Sequence, residues 1–342
     1  MSLKTTKNRW ALLGCICLAG ALMLGCGGTA TKATSKTIVL SDAGWDSVKF
    51  HNAVVNYICT KGYATQTTTL TGSTPITHAA LLRGDADVNL ETWSDNIPTY
   101  QEDVKTGKIV ELGINFDDNK QGFYVPRYVL EGDAARGIAP MAPELKTVSD
   151  LKDYSDLFVD EEQPGKGRIY GAIPGWAIDE IMYKKFLYYA LNANYNYFRP
   201  GSDSTLNAAF VAAYAKGEPI VGYNWEPTWL SGKLDLVLLE DAPFQEEAYL
   251  QGKTAMRGVP VTIAANPSFL QKQPQIAAFL KKYHTSSALT AEALAYINDH
   301  KASYDDAAQH FLRQHPELLK LWLPAEQLQL VEQALAENKG GM

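Results

Sequence analysis

The sequence predicts an α/β protein of two lobes, and three observations carry that expectation. Strand-like and helix-like apolar patterns alternate from residue 37 to residue 93 and again from residue 168 onward, the mark of βαβ units on a parallel-type sheet. The 342 residues less a 25-residue leader leave 317, enough for two lobes with separate cores. Four tryptophans, Trp45, Trp93, Trp176 and Trp225, stand where apolar runs stop, beside Gly, Pro or carboxylates. A core Trp is normally embedded in a periodic stretch, whereas one at a strand end is placed to face a cleft, and α/β sheets bind ligands beyond the carboxyl ends of their strands.

Taken in order, Thr37 to Ser41 reads as a strand and Ser47 to Lys61 as a helix closed by Gly62. Thr65 to Thr71 is a second strand, and Ser73, Thr74 and Pro75 mark the start of a helix over Thr77 to Arg83. Asp87 to Trp93 is the third strand. The strand-like runs Ile109 to Phe116 and Phe123 to Leu130 have no clear helix between them, as expected where the chain crosses into a second lobe. After a Pro-containing loop over Gly132 to Thr147, a second set appears: a strand over Arg168 to Ile173, helices from Ala177 to Leu191 and Ser204 to Lys216, and a strand from Pro219 to Trp225. Leu234 to Leu239 and Val259 to Ala265 read as the return path. The last third is helical, including Pro267 to Tyr283, Tyr304 to Gln314 and Pro324 to Glu337. The expected division is 1–25 leader, 26–36 tether, 37–118 first lobe, 119–240 second lobe and 241–342 first lobe again with its terminal helices.

The leader says where such a protein works. Lys4, Lys7 and Arg9 precede an apolar stretch from Trp10 to Leu24 that ends in Met23-Leu24-Gly25-Cys26, with no acidic residue. This is a secretory signal, and its end resembles a bacterial lipobox, which implies cleavage before Cys26 and lipidation of that cysteine. The apolar run is shorter than the about 20 residues a spanning helix needs. Gly27 to Lys36, rich in Gly, Thr, Ala and Lys, reads as a flexible tether. Losing three positive charges moves the formal net charge from -7 to -10. An acidic body without a basic run argues against nucleic acid as a partner. Of the four cysteines, Cys15 and Cys17 leave with the leader and Cys26 is lipidated, so Cys59 stands alone as a buried small hydrophobe with no intrachain disulfide.

The search for catalytic motifs is negative. No nucleophile elbow, zinc-protease helix, Walker loop or dinucleotide fingerprint is present. The six histidines are scattered, and His310 and His315 are not at a metal-ligand interval. Asp117 to Gly122 begins like a calcium loop but has Tyr128 where a bidentate Glu belongs, so it reads as a turn. No cofactor or metal is expected. Trp229, next to Leu230, and Trp322, in Leu-Leu-Lys-Leu-Trp-Leu, read as core. Trp45, Trp93, Trp176 and Trp225, with carboxylates close by, suit a cation that donates no hydrogen bonds, because ring faces attract cations.

Ala43-Gly44-Trp45-Asp46, Glu91-Thr92-Trp93, Gly122-Phe123-Tyr124-Val125-Pro126, Ile173-Pro174-Gly175-Trp176 and Tyr223-Asn224-Trp225-Glu226-Pro227-Thr228-Trp229 together resemble the substrate-binding proteins of ABC importers for glycine betaine, choline and related compatible solutes. The similarity covers the mature chain and lies in the order and spacing of these motifs. It implies a periplasmic-binding-protein-like fold of type II, two α/β lobes joined by hinge strands, with aromatic rings boxing a trimethylammonium group. Carried over by position, the box is Trp45 and Trp93 from the first lobe with Tyr124 and Trp225 from the second, and Trp176 matches a further cleft position.

For the ligand's other end, the resemblance implies backbone N–H groups around Gly175, Trp176 and Ala177 for a betaine carboxylate, which a helix start suits, or Asp46 for choline. A glycine betaine-type ligand is the first expectation, with choline, trimethylamine oxide or carnitine as alternatives. The expected partners are a permease and its ATPase subunit, the expected location the extracytoplasmic face of a membrane, held by the lipid anchor, and the expected state a monomer. Two other classes compete: an exported enzyme on choline-like substrates using Asp46, Glu91 or Glu226, which lacks a nucleophile, metal set or cofactor loop, and a receptor for cationic amino acids, which calls for carboxylates as the main contacts.

Overall fold

The computed structural model describes residues 37–337; the leader, Cys26 and the tether lie outside the described residues. In chain order the elements are β1 (Ile38–Asp42), α1 (Asp46–Gly62), β2 (Thr67–Thr71), α2 (Thr74–Arg83), β3 (Val88–Trp93), α3 (Tyr100–Lys105) and β4 (Val110–Phe116), then β5 (Gln121–Pro126), α4 (Arg127–Glu131), β6 (Gly167–Tyr170), α5 (Ala177–Tyr188) and β7 (Tyr195–Phe198). They continue with α6 (Asp203–Lys216), β8 (Gly222–Trp225), α7 (Trp229–Lys233), β9 (Leu236–Leu238), α8 (Glu246–Tyr249) and β10 (Val261–Ala265), and close with α9 (Pro267–Lys272), α10 (Pro274–Leu280), α11 (Ser287–His300), α12 (Tyr304–Gln314), α13 (Pro316–Trp322) and α14 (Ala325–Glu337).

The described strands form two five-stranded sheets, ordered β2-β1-β3-β10-β4 and β7-β6-β8-β5-β9. β1 runs parallel to β2 and β3, and β6 parallel to β7 and β8, as the βαβ pattern predicts. The strands entered directly on crossing between the sheets, β5 and β10, run antiparallel to both neighbours, so each sheet is mixed rather than wholly parallel. The fold is the two-lobed α/β type expected. Central strands β3, β5, β8 and β10 are buried along their whole length, whereas the Thr-rich β2 lies at an edge and is half exposed.

Two local readings change. The run from Phe123 to Leu130 ends as a strand at Pro126, which has no N–H to continue the ladder, and Arg127 begins α4. The expected helix from Pro267 to Tyr283 is two helices, because Pro274 lacks the N–H and its ring blocks a continuous turn. Cys59 is fully buried, and that burial pushes its thiol up to about 12. Where the chain passes between sheets its two strands are clamped by one side chain: Asn119 Nδ2 donates to the Val259 carbonyl at 2.6 Å and Asn119 Oδ1 accepts from the Val259 N–H at 3.2 Å. The turn read from Asp117 to Gly122 is thus part of the crossing, with Asp118 accepting from the Ser287 N–H.

Candidate functional site

The four tryptophans converge because each follows the carboxyl end of a strand. Trp45 immediately precedes α1 after β1, Trp93 ends β3, Trp176 precedes α5 after β6, and Trp225 ends β8. They line one narrow cleft with Ala43, Thr74, Thr77, Asn89, Glu91, Thr92, Asn96, Ile97, Ala177, Ile178 and Tyr223. The rings meet edge to face: Trp176 lies 5.3 Å from Trp45 at 82° and 5.0 Å from Trp225 at 90°, while Tyr223 stacks on Trp225 at 5.6 Å and 17°. Each of the four is at least nine-tenths buried.

Alternation along β3 puts Asn89, Glu91 and Trp93 on the same face, and Glu91 becomes the centre of the first-sheet wall. It is wholly buried. Its Oε1 accepts from Trp45 Nε1 at 2.7 Å, Ser47 Oγ at 2.9 Å and Trp93 Nε1 at 3.0 Å, and its Oε2 has no partner. Burial pushes its carboxyl up to about 8, against the pull of the three donors. The carboxyl therefore orients two rings of the wall and presents an unused oxygen. The sequence shows Glu91 within the Glu91-Thr92-Trp93 motif and as an acid–base candidate of the competing enzyme class, without placing it in the wall; the Glu-Thr-Trp spacing of two is the signal for it, as is Tyr-Asn-Trp for Tyr223.

Two expected contacts are corrected. Tyr124 does not line the cleft. In the β5–β8 ladder Gln121 faces Trp225 and Phe123 faces Tyr223, so Tyr124, opposite Gly222, points to the other side of the sheet, and Tyr223 stands in the wall instead. Asp46 is also elsewhere: as the first residue of α1 it turns away from its neighbour Trp45, accepts from the Tyr304 hydroxyl at 2.6 Å and lies 3.8 Å from Lys49.

The Gly175 to Ala177 turn reaches the cleft but is already engaged. Trp176 N–H donates to the Ile173 carbonyl at 3.1 Å, Ala177 N–H to Thr74 Oγ1 at 3.3 Å, and the Gly175 carbonyl accepts from Thr74 N–H at 3.0 Å. Gly175 sits at φ +90°, and an added Cβ would meet Ser73 at 3.0 Å, so this turn requires glycine. The loop after Trp93 is held across the cleft too, with Arg257 donating to Asp95 at 2.9 Å and the Tyr249 hydroxyl to Asn96. Trp322 is core, its ring 4.6 Å from Tyr283, and Trp229 is half-buried against both cores. Among the described residues no group of side chains could hold a metal ion, and no helix is long and apolar enough to cross a membrane.

Comparison with known proteins agrees with this architecture. Residues 36–314 match the family described as the substrate binding domain of ABC-type glycine betaine transport system. The chain is 25% identical over 271 residues to the glycine betaine-binding periplasmic protein OusX of Dickeya dadantii (strain 3937), covering 74% of this chain and 75% of that protein. It is 23% identical over 249 residues to a trimethylamine N-oxide-binding protein of Pelagibacter ubique (strain HTCC1062), covering 70% and 75%. In fold it is similar to the glycine betaine, L-proline-binding protein (ProX) of Borrelia burgdorferi, with a TM-score of 0.66, 20% identity, 86% of this chain and 100% of that one. A match across most of the chain, on a two-lobed fold with a cleft at its strand ends, places this protein in the family of substrate-binding domains of ABC-type glycine betaine transport systems.

Proposed function

We propose that the protein is the extracytoplasmic, lipid-anchored receptor of an ABC importer and binds a small solute with a trimethylated nitrogen in the aromatic cleft. The observation that carries this reading is the wall of Trp45, Trp93, Trp176 and Trp225 with one buried carboxyl, Glu91, among them. Ring faces attract a methylated cation, and a desolvated contact is worth about 2 kcal/mol, so a few approach the roughly 8 kcal/mol of a micromolar complex. The lobes, taken as 37–118 with 241–342 and as 119–240, close over the solute. A separate permease recognises the closed form and a separate ATPase subunit drives transport. Residues 1–25 act as the signal and 26–36 as the tether from lipidated Cys26.

Calorimetry with glycine betaine, dimethylglycine, sarcosine and glycine tests the cage, because each lost methyl exposes an N–H donor that ring faces cannot satisfy. Affinity is expected to fall at each step, and arginine is expected not to bind; glycine binding as tightly as the betaine removes the reading. Cys26→Ser tests the anchor: the protein is expected to leave the membrane fraction or remain an unprocessed precursor, and unchanged processing and fractionation refute lipidation.

A further inference from the structure

The two halves of the molecule also meet beside the aromatic wall, where the start of α6 lies against the start of α1, a contact whose reading rests on the lobe division and closure proposed above. Asp203 opens α6 and Asp46 opens α1. Around them stand Ser47, Asn207, Trp225 and Trp229. Ser47 holds Glu91 through its hydroxyl and Trp225 is a cleft ring, so the contact backs the wall from both halves. Neither acid lines the cleft itself.

An acid in the first turn of a helix ordinarily stays in water and favours its own helix dipole. Asp203 departs from this. Ser202 already caps α6, its Oγ accepting from the Thr205 N–H at 3.2 Å, and Asp203 is only 6% exposed. Its carboxyl accepts from the Asn207 side-chain amide at 2.5 Å and from the backbone N–H of Asp46. α1 lacks an acceptor of its own at that end, because its N-cap residue is Trp45, whose side chain makes no capping hydrogen bond and whose indole N–H goes to Glu91. A carboxyl of one half thus completes the helix start of the other, one residue from a cleft ring. We propose that Asp203 is a positioning residue for solute binding: seated on the start of α1, it holds the two halves together beside the cleft, slows their opening and so sets how long a bound solute is retained, without touching the solute.

The seat responds to protons. Asp46 faces Asp203 from α1 and repels its ionised form, while Lys49, also from α1 and 3.8 Å from Asp46, offsets part of that repulsion. Tyr304 from α12, with Asp42 of β1 near it, and Tyr223 from β8 are the other titratable groups around the pair. α7 and α11 bring the uncharged Trp229 and Leu294. Burial first, and then Asp46, push the Asp203 carboxyl from an ordinary 3.8 up to about 7. Opening returns it to water, so between those values the closed form holds a proton that the open form releases. Its contribution to closure is full below about pH 3.8, declines as pH rises toward 7 and is level beyond.

The test is stopped-flow and calorimetric binding of glycine betaine and of choline to the mature protein at pH 5 and pH 7.5, with melting curves for every variant. In the parent protein, dissociation of the bound solute is expected to be about tenfold faster at pH 7.5 than at pH 5. Asp203→Asn keeps an acceptor and cannot ionise, so it is expected to lose that dependence; read as a difference from the parent, the titration of Glu91, present in both, cancels. Asp203→Ala is expected to dissociate about tenfold faster at pH 5 with its association rate within about twofold of the parent. Ser202→Ala, which removes the cap of α6 alone, is expected to lower the melting temperature and leave dissociation unchanged.

Unchanged dissociation in folded Asp203→Ala, or the parent's pH dependence persisting in Asp203→Asn, overturns the inference; if Asp203→Ala does not fold, the Asp203→Asn comparison decides. Spin labels on Lys105→Cys and Lys216→Cys, exposed positions of the two halves, report opening with no solute present. Distances in the parent are expected to lengthen from pH 5 to pH 7.5 and those in Asp203→Asn to stay constant, and equal behaviour overturns the inference. A folded parent that binds neither solute refutes the cage reading, and the label distances then decide on Asp203 alone.

Discussion

Glu91 in the first-sheet half and Lys185 in the second-sheet half are buried alike, with 0% and 1% of their surface exposed, yet they are built oppositely. Lys185 pairs with Asp241 and donates to the Thr254 carbonyl at 2.6 Å, and Tyr189 donates to the other Asp241 oxygen. Burial pulls the Lys185 ammonium down and Asp241 pushes it back. Every strong demand of that cluster is met inside the chain, joining α5 to the segment that leads to β10. Glu91 has three neutral donors on one oxygen, nothing on the other and no cation. A closed set of partners marks a buried group that holds the fold, and an incomplete set at the wall of a cleft fits the binding role proposed for that cleft.

The largest expected effect breaks the closed set. Lys185→Met leaves Asp241 buried without its cation and is expected to cost about 3 to 5 kcal/mol in urea unfolding, whereas Glu91→Gln is expected to cost less than about 1 kcal/mol. Equal losses from the two would make Glu91 part of the frame and end the distinction.

A second contrast sets cleft rings against a core ring. Trp176→Ala is expected to weaken binding of the trimethylated solute by about 2 kcal/mol, roughly thirtyfold. The ligand-free melting temperature falls as well, since this ring packs edge-on against Trp45 and Trp225. Trp322→Phe, in the first-sheet core, is expected to lower the melting temperature and leave affinity unchanged. Equal affinity losses from the two would show that binding follows stability rather than ring contact.

The smallest effect is in pH dependence. Glu91 rises from an ordinary 4.5 to about 8 on folding, so between those values the folded state holds a proton that the unfolded chain has released. Its contribution to ligand-free stability is therefore full below about pH 4.5 and declines as pH rises toward 8. Asp203, pushed up to about 7 by burial and by Asp46, acts with the same sign, while buried His51, lowered to about 3, loses stability as pH falls. Both remain in the variant. The stability of Glu91→Gln relative to the parent is thus expected to climb from pH 5 to pH 8 and then level off; a flat difference would mean that Glu91 is ionised throughout.

The sequence by itself determined the α/β alternation, the core role of Trp322 and the position of four tryptophans at strand ends, because these follow from periodicity and from where an apolar run stops. Helix and strand phases are local, set by about 3.6 and 2 residues per repeat, so they can be read without neighbours. What each side chain meets across the cleft is not local. Tyr124 and Tyr223 are both aromatic and both lie within apolar strands, and only the pairing of β5 with β8 sends one away from the cleft and the other into it. Asp46 was the obvious acid beside Trp45, yet the first turn of α1 gives it to Tyr304 and brings Ser47 to Glu91. The same holds for the Gly175 to Ala177 turn, whose N–H groups looked open until α2 delivered Thr74 to them. Tertiary structure decided these points because hydrogen-bond satisfaction is a property of the folded neighbourhood, while hydrophobic phase is a property of the chain.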